Sequence, residues 1–541
     1  MRKIRCLNPE WRNLMTKTCP ETTAIHTVYI GSSSACFELK NALPYYAPQR
    51  FAVVLDGMEQ FECESNVFSL FSLKPDTEYH LAIRAGDTEE KMVFHTGQES
   101  CAVDVRSFGA VGDGFHDDTI AIQTAISYLP AKGRLVFPAG TYLTKPLILK
   151  SHITLEVTEH AVIKGWTNRE DYPIVPGSVF SENGEEIYFG GFEGDTKPMY
   201  QSLITGQYAE DIAIVGKGMI DGNAQNSDFW VGFNQFPAAR PRLMFFNRCR
   251  NITVHGVHIC NSPSWQLHPF YSEKIGIYDI QISAPKNSPN TDAIDPESCD
   301  GVEMIGCRFS VGDDCIAIKS GKIDLGTKLN RSANAHVIRN CLMDNGHGAI
   351  TLGSEIGAGV RNLEVSQCWF RGTDRGLRIK SRRGRGKNCR IDGVTFENIR
   401  MEGVLTPIVI NLWYNCCDPD RESEYVWSRE CLPVDDRTPQ MGSFHFKNLV
   451  CTDAEVAACY IDGLPEAPIE EVTIEDVQIG FSPNARPGIP MMENFAKPRC
   501  RLGLYLDNVR HIAIKNVTLE NVDGDKLIVN HCEKLDQEGL K

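Results

Sequence analysis

Short strings of β-branched and apolar residues return along the chain from residue 203 onward, each followed by a one- or two-residue corner and a second string. Six equivalent positions are separated by 23, 27, 35, 26 and 28 residues: Ile252, Ile275, Val302, Val337, Leu363 and Ile391. A period of roughly 20–50 residues is typical of solenoids, in which each unit buries its apolar face against its neighbours. No segment of helical length separates the strings, and the L-x-x-L-x-L phrase of leucine-rich repeats is absent. The repeat therefore predicts an all-β parallel β-helix.

The first hundred residues lack this repeat and contain six short alternating runs divided by turn-forming residues, a spacing typical of a small β-sandwich. The segment LKPDTEYHLAI, residues 73–83, places Tyr79 where a tyrosine corner would tie its hydroxyl to an earlier backbone group. This segment resembles a fibronectin type III module, and an unrelated sandwich of the same size is the alternative. We predict two domains, a fibronectin type III-like sandwich over 1–100 and the β-helix over 101–541.

Three further segments depart from the repeat. Residues 119–129 have helical periodicity and are predicted to cap the open N-terminal end of the β-helix. One side of this helix is predicted to carry Ile120, Ala121, Thr124, Ala125 and Tyr128. The stretches 165–202 and 413–442 interrupt the β-helix, and insertions in a solenoid emerge as loops, commonly on the binding face. Both are predicted to border the functional cleft, with decorative surface as the alternative.

The charge balance limits the partners of this 541-residue chain. Its 55 Lys and Arg against 70 Asp and Glu give a net charge of −15, which argues against general nucleic-acid binding. No run of 18 apolar residues is present, so no membrane span is predicted. The opening segment, MRKIRCLNPEWRNLMTKTCPE, lacks the continuous apolar core of a signal peptide, which predicts a cytoplasmic protein. The 20 cysteines include no C-x-x-C pair and are predicted to be reduced and mostly buried.

Four polar segments interrupt the β-helix repeat at intervals of about one coil. They are Asn290-Thr291-Asp292, Gly312-Asp313-Asp314, Gly346-His347-Gly348 and Arg378-Ile379-Lys380. Stacked coils would place them along one face, where three carboxylates raise one another's pKa, so that one stays protonated while the others ionise. Inverting hydrolysis of a glycosidic bond needs that division between an acid and its bases. Capping of turns by Asn, Thr and Asp is the structural alternative.

In this order, the four segments resemble the signature motifs of glycoside hydrolase family 28, the polygalacturonases, over roughly residues 103–530. The opening FGAVGDGFHDDTIAIQTAI is similar to the N-terminal cap of that family and of related pectin-degrading β-helix enzymes, and the resemblance implies a right-handed, pectin lyase-like parallel β-helix. The resemblance implies that Asp313 is the general acid, that Asp292 and Asp314 activate water, and that His347 supports the protonation state of the acid. Because Asp313 and Asp314 are adjacent, a bulge or bend next to Gly312 must bring both to the cleft.

The charge pattern around the fourth motif agrees with a uronate ligand. Residues 371–390 hold nine Lys or Arg against one acid, Asp374, with no interleaved aromatic platform for nucleic acid. Arg378 and Lys380 are two apart in a predicted strand and so share a face, where they offer a planar fork and a point charge to a carboxylate. A solvated basic loop is the alternative. The full predicted substrate-binding set is Arg378, Lys380, Tyr414, Asn290, Lys319 and Glu355.

The resemblance implies an inverting hydrolase of α-1,4-galacturonosyl bonds, whose partner is a galacturonate-containing oligosaccharide or polysaccharide. Exo action is predicted from the two insertions, the absent signal peptide and the region GSEIGAGVRN, which resembles the exo-acting bacterial branch. Endo action and another pectic glycosidase are the alternatives within the family, although the complete galacturonate-binding motifs disfavour rhamnogalacturonan hydrolysis. A calcium-dependent β-helix pectate lyase and a non-catalytic carbohydrate-binding solenoid are the alternatives from other classes. The hydrolase reading predicts no cofactor and no metal.

Overall fold

The computed structural model describes residues 25–232, 235–415 and 423–541, and its N-terminal part is a β-sandwich. Two antiparallel sheets, in the orders β1-β2-β5 and β4-β3-β6-β7, face each other across a core of aliphatic and aromatic side chains. The strands are β1 (Ile25–Ile30), β2 (Ser34–Leu39), β3 (Tyr46–Leu55), β4 (Met58–Ser65), β5 (Val67–Phe71), β6 (Glu78–Ala85) and β7 (Thr88–His95). The Tyr79 hydroxyl accepts a hydrogen bond from the Lys74 backbone N–H at 2.8 Å, which is the closure that a tyrosine corner makes.

The rest of the chain winds into coils whose strands stack in parallel, so the predicted all-β parallel β-helix is confirmed. Each coil adds one strand to each of three ladders. The first ladder contains β8 (Cys101–Asp104), β10 (Gly133–Phe137), β13 (Ile153–Val157), β20 (Glu210–Val215), β23 (Arg250–His255), β26 (Glu273–Tyr278), β28 (Asp300–Ile305), β31 (Ala333–Arg339) and β34 (Val360–Ser366). The second ladder contains β9 (Asp113–Asp117), β11 (Gly140–Thr144), β14 (Ala161–Gly165), β21 (Met219–Asp221), β24 (His258–Cys260), β27 (Gln281–Ser283), β29 (Arg308–Ser310), β32 (Leu342–Gly346) and β35 (Trp369–Thr373).

The third ladder is the one that carries the four polar motifs. It contains β12 (Leu147–Ile148), β19 (Ile204–Gln207), β22 (Met244–Asn247), β25 (Leu267–Phe270), β30 (Ile316–Ile318), β33 (Ile350–Gly353), β36 (Arg375–Lys380), β38 (Thr406–Asn411) and β41 (Ala457–Asp462). The C-terminal coils are completed by one short strand, β39 (Gln440–Met441), and by longer strands that turn from one ladder into the next: β37 (Arg390–Glu402), β40 (Ser443–Ala454), β42 (Ile469–Phe481), β43 (Leu502–Glu520) and β44 (Leu527–Leu540). Inward side chains from all three ladders form one continuous apolar core along the β-helix.

The elements outside the ladders are short. Two hairpins in the first insertion use β15 (Ile174–Val175), β16 (Ser178–Phe180), β17 (Glu186–Tyr188) and β18 (Met199–Tyr200). The helices are α1 (Thr119–Tyr128), α2 (Ile323–Lys328) and α3 (Glu424–Trp427). None of the helices in the described residues is long and apolar enough to cross a membrane.

The cap helix α1 is present, and of the five residues predicted to share one side only Ala125 is buried, with Ala121 partly buried against the core. Ile120 and Tyr128 are 83% and 67% exposed, whereas Ile122, Ala125 and Ile126 are buried against the first coils. The helix carries two apolar stripes, and the aliphatic stripe at 122, 125, 126 and 129 is the one that packs inward. Asp118 helps to fix this orientation, since its carboxylate accepts the backbone N–H groups of residues 111 and 112.

The sandwich is attached to the first ladder by buried polar contacts. The Arg339 guanidinium donates to both carboxylate oxygens of Glu38, at 2.7 and 2.8 Å, and the Asn340 amide donates to the same side chain at 2.6 Å. The fully buried His255 ring lies between the hydroxyls of Ser34 and Ser69, at 3.1 and 2.9 Å. These contacts lie on a different ladder from the four motifs.

The prediction of reduced, mostly buried cysteines is confirmed for the described part of the chain. All sixteen cysteines there are free, and eleven of them are buried. Cysteines at 6, 19, 416 and 417 lie outside the described residues.

Candidate active site

The register of the third ladder brings the four motifs to one edge. Ile294 pairs with Ile316 of the next coil, which pairs with Ile350, which in turn pairs with Leu377. The residues that stand two positions before the first three of these are Asp292, Asp314 and Gly348. Because paired positions stack at the coil spacing of about 4.8 Å, the acids of two coils and the glycine of the third lie in one row.

Three carboxylates meet in this row. One oxygen from each of Asp292, Asp313 and Asp314 lies within 4.8 Å of the others. The predicted bend is present: Gly312 and Asp313 stand in a bend before β30, and the Asp314 N–H donates to Asp313 Oδ1 at 2.9 Å. A Cβ at Gly312 would lie 2.5 Å from the carbonyl oxygen of Ser288, so glycine lets the bend approach the preceding coil.

Two cations converge on Asp314 from two coils away. Arg378 Nη1 donates to Asp314 Oδ1 at 3.0 Å, and Lys380 Nζ donates to Asp314 Oδ2 at 2.8 Å. Gly348 belongs to the coil between them, and its missing side chain leaves a gap through which these long side chains reach the acid. Burial acts to raise the pKa of Asp314, but Lys380 and Arg378 outweigh it and hold this pKa well below the ordinary range.

The other two carboxylates shift in the opposite direction. Burial, followed by the charge of Asp314, raises the pKa of Asp313 despite Lys380. Burial, followed by the charge of Asp313, raises the pKa of Asp292 well above its ordinary value, and no partner for Asp292 Oδ1 is present among the described residues. The row therefore combines one firmly ionised carboxylate with two that compete for a proton.

His347 lies at the open side of the row. Its backbone N–H donates to the Asp313 carbonyl oxygen at 3.0 Å, and its Nδ1 is 2.8 Å from Asp374 Oδ2. The imidazole is 54% exposed, so one edge of the ring faces the cleft. Tyr414 lies at the other side of the cations, with Lys380 Nζ 5.8 Å from the ring centroid.

Asn290, Lys319 and Glu355 are placed around the row rather than on it. The Asn290 side-chain carbonyl accepts from Arg240 Nη2 at 2.5 Å. Lys319 is 3% exposed, and its ammonium lies 3.1 Å from Glu355 Oε2 and 3.5 Å from Asp295 Oδ1. Lys319 is thus held by two carboxylates beneath the cleft and presents little surface to a sugar.

Several residues of the site were missed at the level of sequence. Asp295 follows Asp292 by three positions in the sequence. Burial raises the pKa of Asp295 to about 8, although Lys319 opposes the shift. The Trp265 ring packs 4.6 Å from Lys319 Nζ. Arg240 is 3% exposed and orients Asn290. Asp295 stands inside the string NTDAID and could have been found from its spacing to Asp292, whereas nothing in the sequence marks Trp265 or Arg240.

The cleft has two walls, and one of them was not predicted. The first insertion, 165–202, reaches the site, since Phe192 stacks on Trp265 with ring centroids 5.3 Å apart. The second wall is the loop 482–500, whose Met492 Sδ lies 3.3 Å from Arg378 Nη2. Arg375 anchors this loop by donating to the backbone carbonyls of residues 489 and 490 at 2.6 and 3.1 Å. The predicted insertion 413–442 lies in part outside the described residues, which resume at 423.

The gap at Gly348 leads to a prediction. A Cβ there would press on the Thr351 hydroxyl and lie 2.8 Å from Asp314 Oδ1, so Gly348→Ala should displace the acid or its cations. Because misplacement by about 1 Å can cost a factor of 10², we expect kcat/KM on oligogalacturonate to fall by roughly 10- to 100-fold. Gly480→Ala is the control, since its added Cβ meets nothing closer than 3.6 Å. Equal activity of the two variants would show that the gap is not required.

Comparisons with known proteins agree with this arrangement. Residues 186–500 match the family model described as glycosyl hydrolases family 28, and residues 102–188 match that of rhamnogalacturonase A/epimerase, pectate lyase-like. The chain is 30% identical over 391 residues to a probable polygalacturonase of Vitis vinifera, which covers 70% of this chain and 74% of the relative. A hyperthermoactive exopolygalacturonase from Thermotoga maritima superposes with a TM-score of 0.63 at 29% identity, over 77% of this chain and 91% of the other. A family 28 exopolygalacturonase from Yersinia enterocolitica shares the fold over 96% of this chain and 99% of its own, with a TM-score of 0.70 at 19% identity.

Proposed function

Since this chain belongs to glycosyl hydrolase family 28, we propose that it hydrolyses the α-1,4-galacturonosyl bonds of pectic oligo- or polygalacturonate with inversion. The observation that carries the proposal is the row of three carboxylates within 4.8 Å, in which Arg378 and Lys380 hold Asp314 ionised while the pKa of Asp313 is raised by burial and by Asp314. An acid and a base of this kind, next to two cations, suit cleavage of an anionic sugar chain.

In the proposed reaction, Asp313 gives its proton to the glycosidic oxygen as the bond from that oxygen to C1 breaks. Asp292 and Asp314 hold a water molecule that attacks C1, and one of these two carboxylates accepts the single proton that this water releases. The charge that builds up at C1 lies beside the ionised Asp314, which is already oriented by its two ion pairs. The remaining N–H groups of Arg378 and Lys380, with Tyr414 beside them, bind the carboxylate of the galacturonate.

The stereochemical outcome needs its own argument, because carboxylates this close are nearer to the spacing of retaining enzymes, roughly 5 Å, than to that of inverting ones. A retaining enzyme needs an ionised carboxylate free to attack C1. Asp314 is ionised, but each of its oxygens accepts a hydrogen bond from a cation. Inversion by a held water molecule therefore fits the row better. ¹H NMR of the first-formed reducing end should show the β anomer, and the α anomer would contradict this step.

We further propose exo action on short chains, as in the exopolygalacturonases named among the comparisons. The first insertion at Trp265 and the loop 482–500 at Arg378 support this proposal, since both stand beside the cleft. A time course on tri- and tetragalacturonate tests it: exo action releases monomer alone from the start, and endo action releases mixed sizes. Endo-polygalacturonase is the alternative that the second result would establish.

Two rivals from other classes predict different products. A pectate lyase would generate an unsaturated end that absorbs in the near ultraviolet and would lose activity with a chelator, whereas the hydrolase forms only reducing ends. The ion pairs of Arg378 and Lys380 to Asp314 favour the hydrolase, because they already neutralise the charge that a calcium ion would need. A binding-only solenoid would form no product at all.

For the N-terminal domain, 1–100, we propose a fibronectin type III-like module that acts as a spacer. The order of the strands in its two sheets and the hydrogen bond accepted by the Tyr79 hydroxyl support the likeness to a fibronectin type III module. Its contacts through Glu38 and His255 are on the first ladder, away from the third ladder where the β-helix domain, 101–541, carries the motifs. We therefore propose no direct role for the N-terminal domain in substrate binding.

A further inference from the structure

The acid side chain closest to His347 is one that the reaction above does not use. Asp374 follows β35, one coil after His347, and its Oδ2 lies 2.8 Å from His347 Nδ1. The backbone fixes this approach, because the Asp374 N–H donates to the Gly346 carbonyl at 2.9 Å and Thr373 pairs with Gly346 across the coils. The contact is thus built into the stacking of two coils rather than into a mobile loop.

The Asp374 carboxylate lies closer to the His347 imidazole than to its other neighbour, the Arg375 guanidinium. Arg375 Nη1 is 3.6 Å from Asp374 Oδ2, and the Nη2 and Nε of that guanidinium donate to the backbone carbonyls of the loop 482–500. The shorter contact is therefore the one to His347. A carboxylate at Nδ1 places a proton on that nitrogen and turns the Nε2 edge of the ring away from Asp374.

The three carboxylates around the ring, those of Asp374, Asp313 and Asp314, favour its protonated form. The hydrogen bond to Asp374 is the largest cause of the raised pKa of His347; burial opposes it, and the charges of Asp313 and Asp314 add to it. In return, burial acts to raise the pKa of Asp374, but His347 and then Arg375 lower it. Each partner thus stabilises the charged form of the other.

We propose that Asp374 is a positioning residue, which holds the His347 imidazolium in place beside Asp313 and so keeps a positive charge next to the acid while the acid loses its proton. The carboxylate that Asp313 becomes after proton transfer is stabilised by that charge, while His347 itself gains and loses no proton. This inference rests on the proposed function, because it assigns Asp374 to the acid of that reaction.

The first test is the titration of His347 in the free enzyme, followed by NMR of its imidazole with His347→Gln used to assign the signal. Because an opposite charge in contact shifts a pKa by about 1–3 units, Asp374→Asn should lower the titration midpoint of His347 by about one unit or more. Asp344→Asn is the matched control. Asp344 lies on the same strand as Gly346, and its carboxylate forms an ion pair with Arg371 at 2.6 Å, away from the imidazole.

The second test is the pH dependence of kcat/KM. Activity falls at alkaline pH as Asp313 loses its proton and, if the charged imidazole is required, also as His347 loses its charge, so Asp374→Asn should move this alkaline limb to lower pH. We expect kcat to fall and KM to stay near that of the parent enzyme. Asp374→Glu keeps the charge and should restore part of the shift, which separates loss of charge from loss of folding.

The outcomes are distinct. An unchanged midpoint for His347 in Asp374→Asn, or a midpoint equally shifted by Asp344→Asn, would overturn the assignment. An unchanged alkaline limb despite a shifted midpoint would also overturn it, because His347 would then not act through its charge. If the parent enzyme cleaves no galacturonide, the proposed function fails, whereas the NMR shift still reports whether Asp374 holds His347 charged.

Discussion

Replacing Asp313 with asparagine is expected to lower kcat on oligogalacturonate by about 10²- to 10⁴-fold, the range that general acid catalysis contributes. The amide is close to the carboxyl in size but donates no proton to the leaving oxygen. Arg378 and Lys380 remain paired with Asp314 in the variant, so the groups that bind the substrate carboxylate keep their geometry. KM should therefore remain within about threefold of the parent value.

Initial rates of reducing-end release measure this effect, and calorimetric titration with a galacturonate trimer measures whether binding is kept. The control is Asp300→Asn, a carboxylate of the first ladder whose partner, Asn334, lies on the next coil at 2.8 Å. A variant at Asp313 that kept more than a tenth of the parent turnover would remove this residue from the role of acid. Loss of binding together with turnover would instead indicate that Asp313 holds the ligand.

Lys380→Met should produce the second large effect, a fall in kcat/KM of about 30- to 5,000-fold, which corresponds to the roughly 2–5 kcal/mol lost when one partner of a buried charge pair is truncated. Lys380 contributes to two steps. Its ammonium donates to Asp314 Oδ2 at 2.8 Å and keeps this carboxylate ionised. The ammonium is also proposed to bind the carboxylate of the sugar. The change should therefore raise KM and lower kcat together.

The same variant should alter the response to acid. In the folded protein Lys380 and Arg378 overcome burial and depress the pKa of Asp314, so their ion pairs stabilise the fold above the ordinary aspartate pKa, near 3.9, and this stabilisation is lost as pH falls below that value. Without Lys380 the pKa of Asp314 rises, and the acid limb of kcat/KM should move to higher pH.

A pH series of kcat/KM and of thermal unfolding measures both shifts. Lys387→Met is the matched control, because Lys387 belongs to the same basic stretch but its 2.9 Å ion pair with Asp436 is exposed. Similar losses in the two variants would show that general positive charge, rather than the contact to Asp314, explains the effect.

The fold and the row of acids were accessible from the sequence because both depend on periodicity. A coil repeat indicates which positions stack on one another. The order of the four motifs was therefore enough to predict that Asp292, Asp314 and the two cations lie close together in space. The bend at Gly312 followed from the same reasoning, since two adjacent acids cannot both face the cleft from a regular strand. These conclusions required no knowledge of the loops.

The remaining features depend on packing that no period encodes. The prediction for α1 included Ile120, which is exposed, and missed Ile122, which is buried. The two residues lie on different apolar stripes of the helix, and the periodicity alone does not say which stripe packs against the first coil. The wall at Met492 comes from a segment more than a hundred residues after Arg378, and its path across the cleft is set by the anchoring of its backbone at Arg375. Asp374 could be identified from the sequence as the single acid of a basic stretch, but its contact with His347 could not.

The stacking of the third ladder separates the reacting groups of this protein from the loops that wall its cleft. Stacked coils deliver the reacting groups, and the segments that wall the cleft leave and rejoin the coils without changing their register. Segments such as 165–202 and 482–500 can therefore lengthen, shorten or be exchanged between related chains while the acids and cations stay in place. In evolutionary terms, the scaffold lets new sugar preferences arise through loop turnover at little risk to the reaction itself.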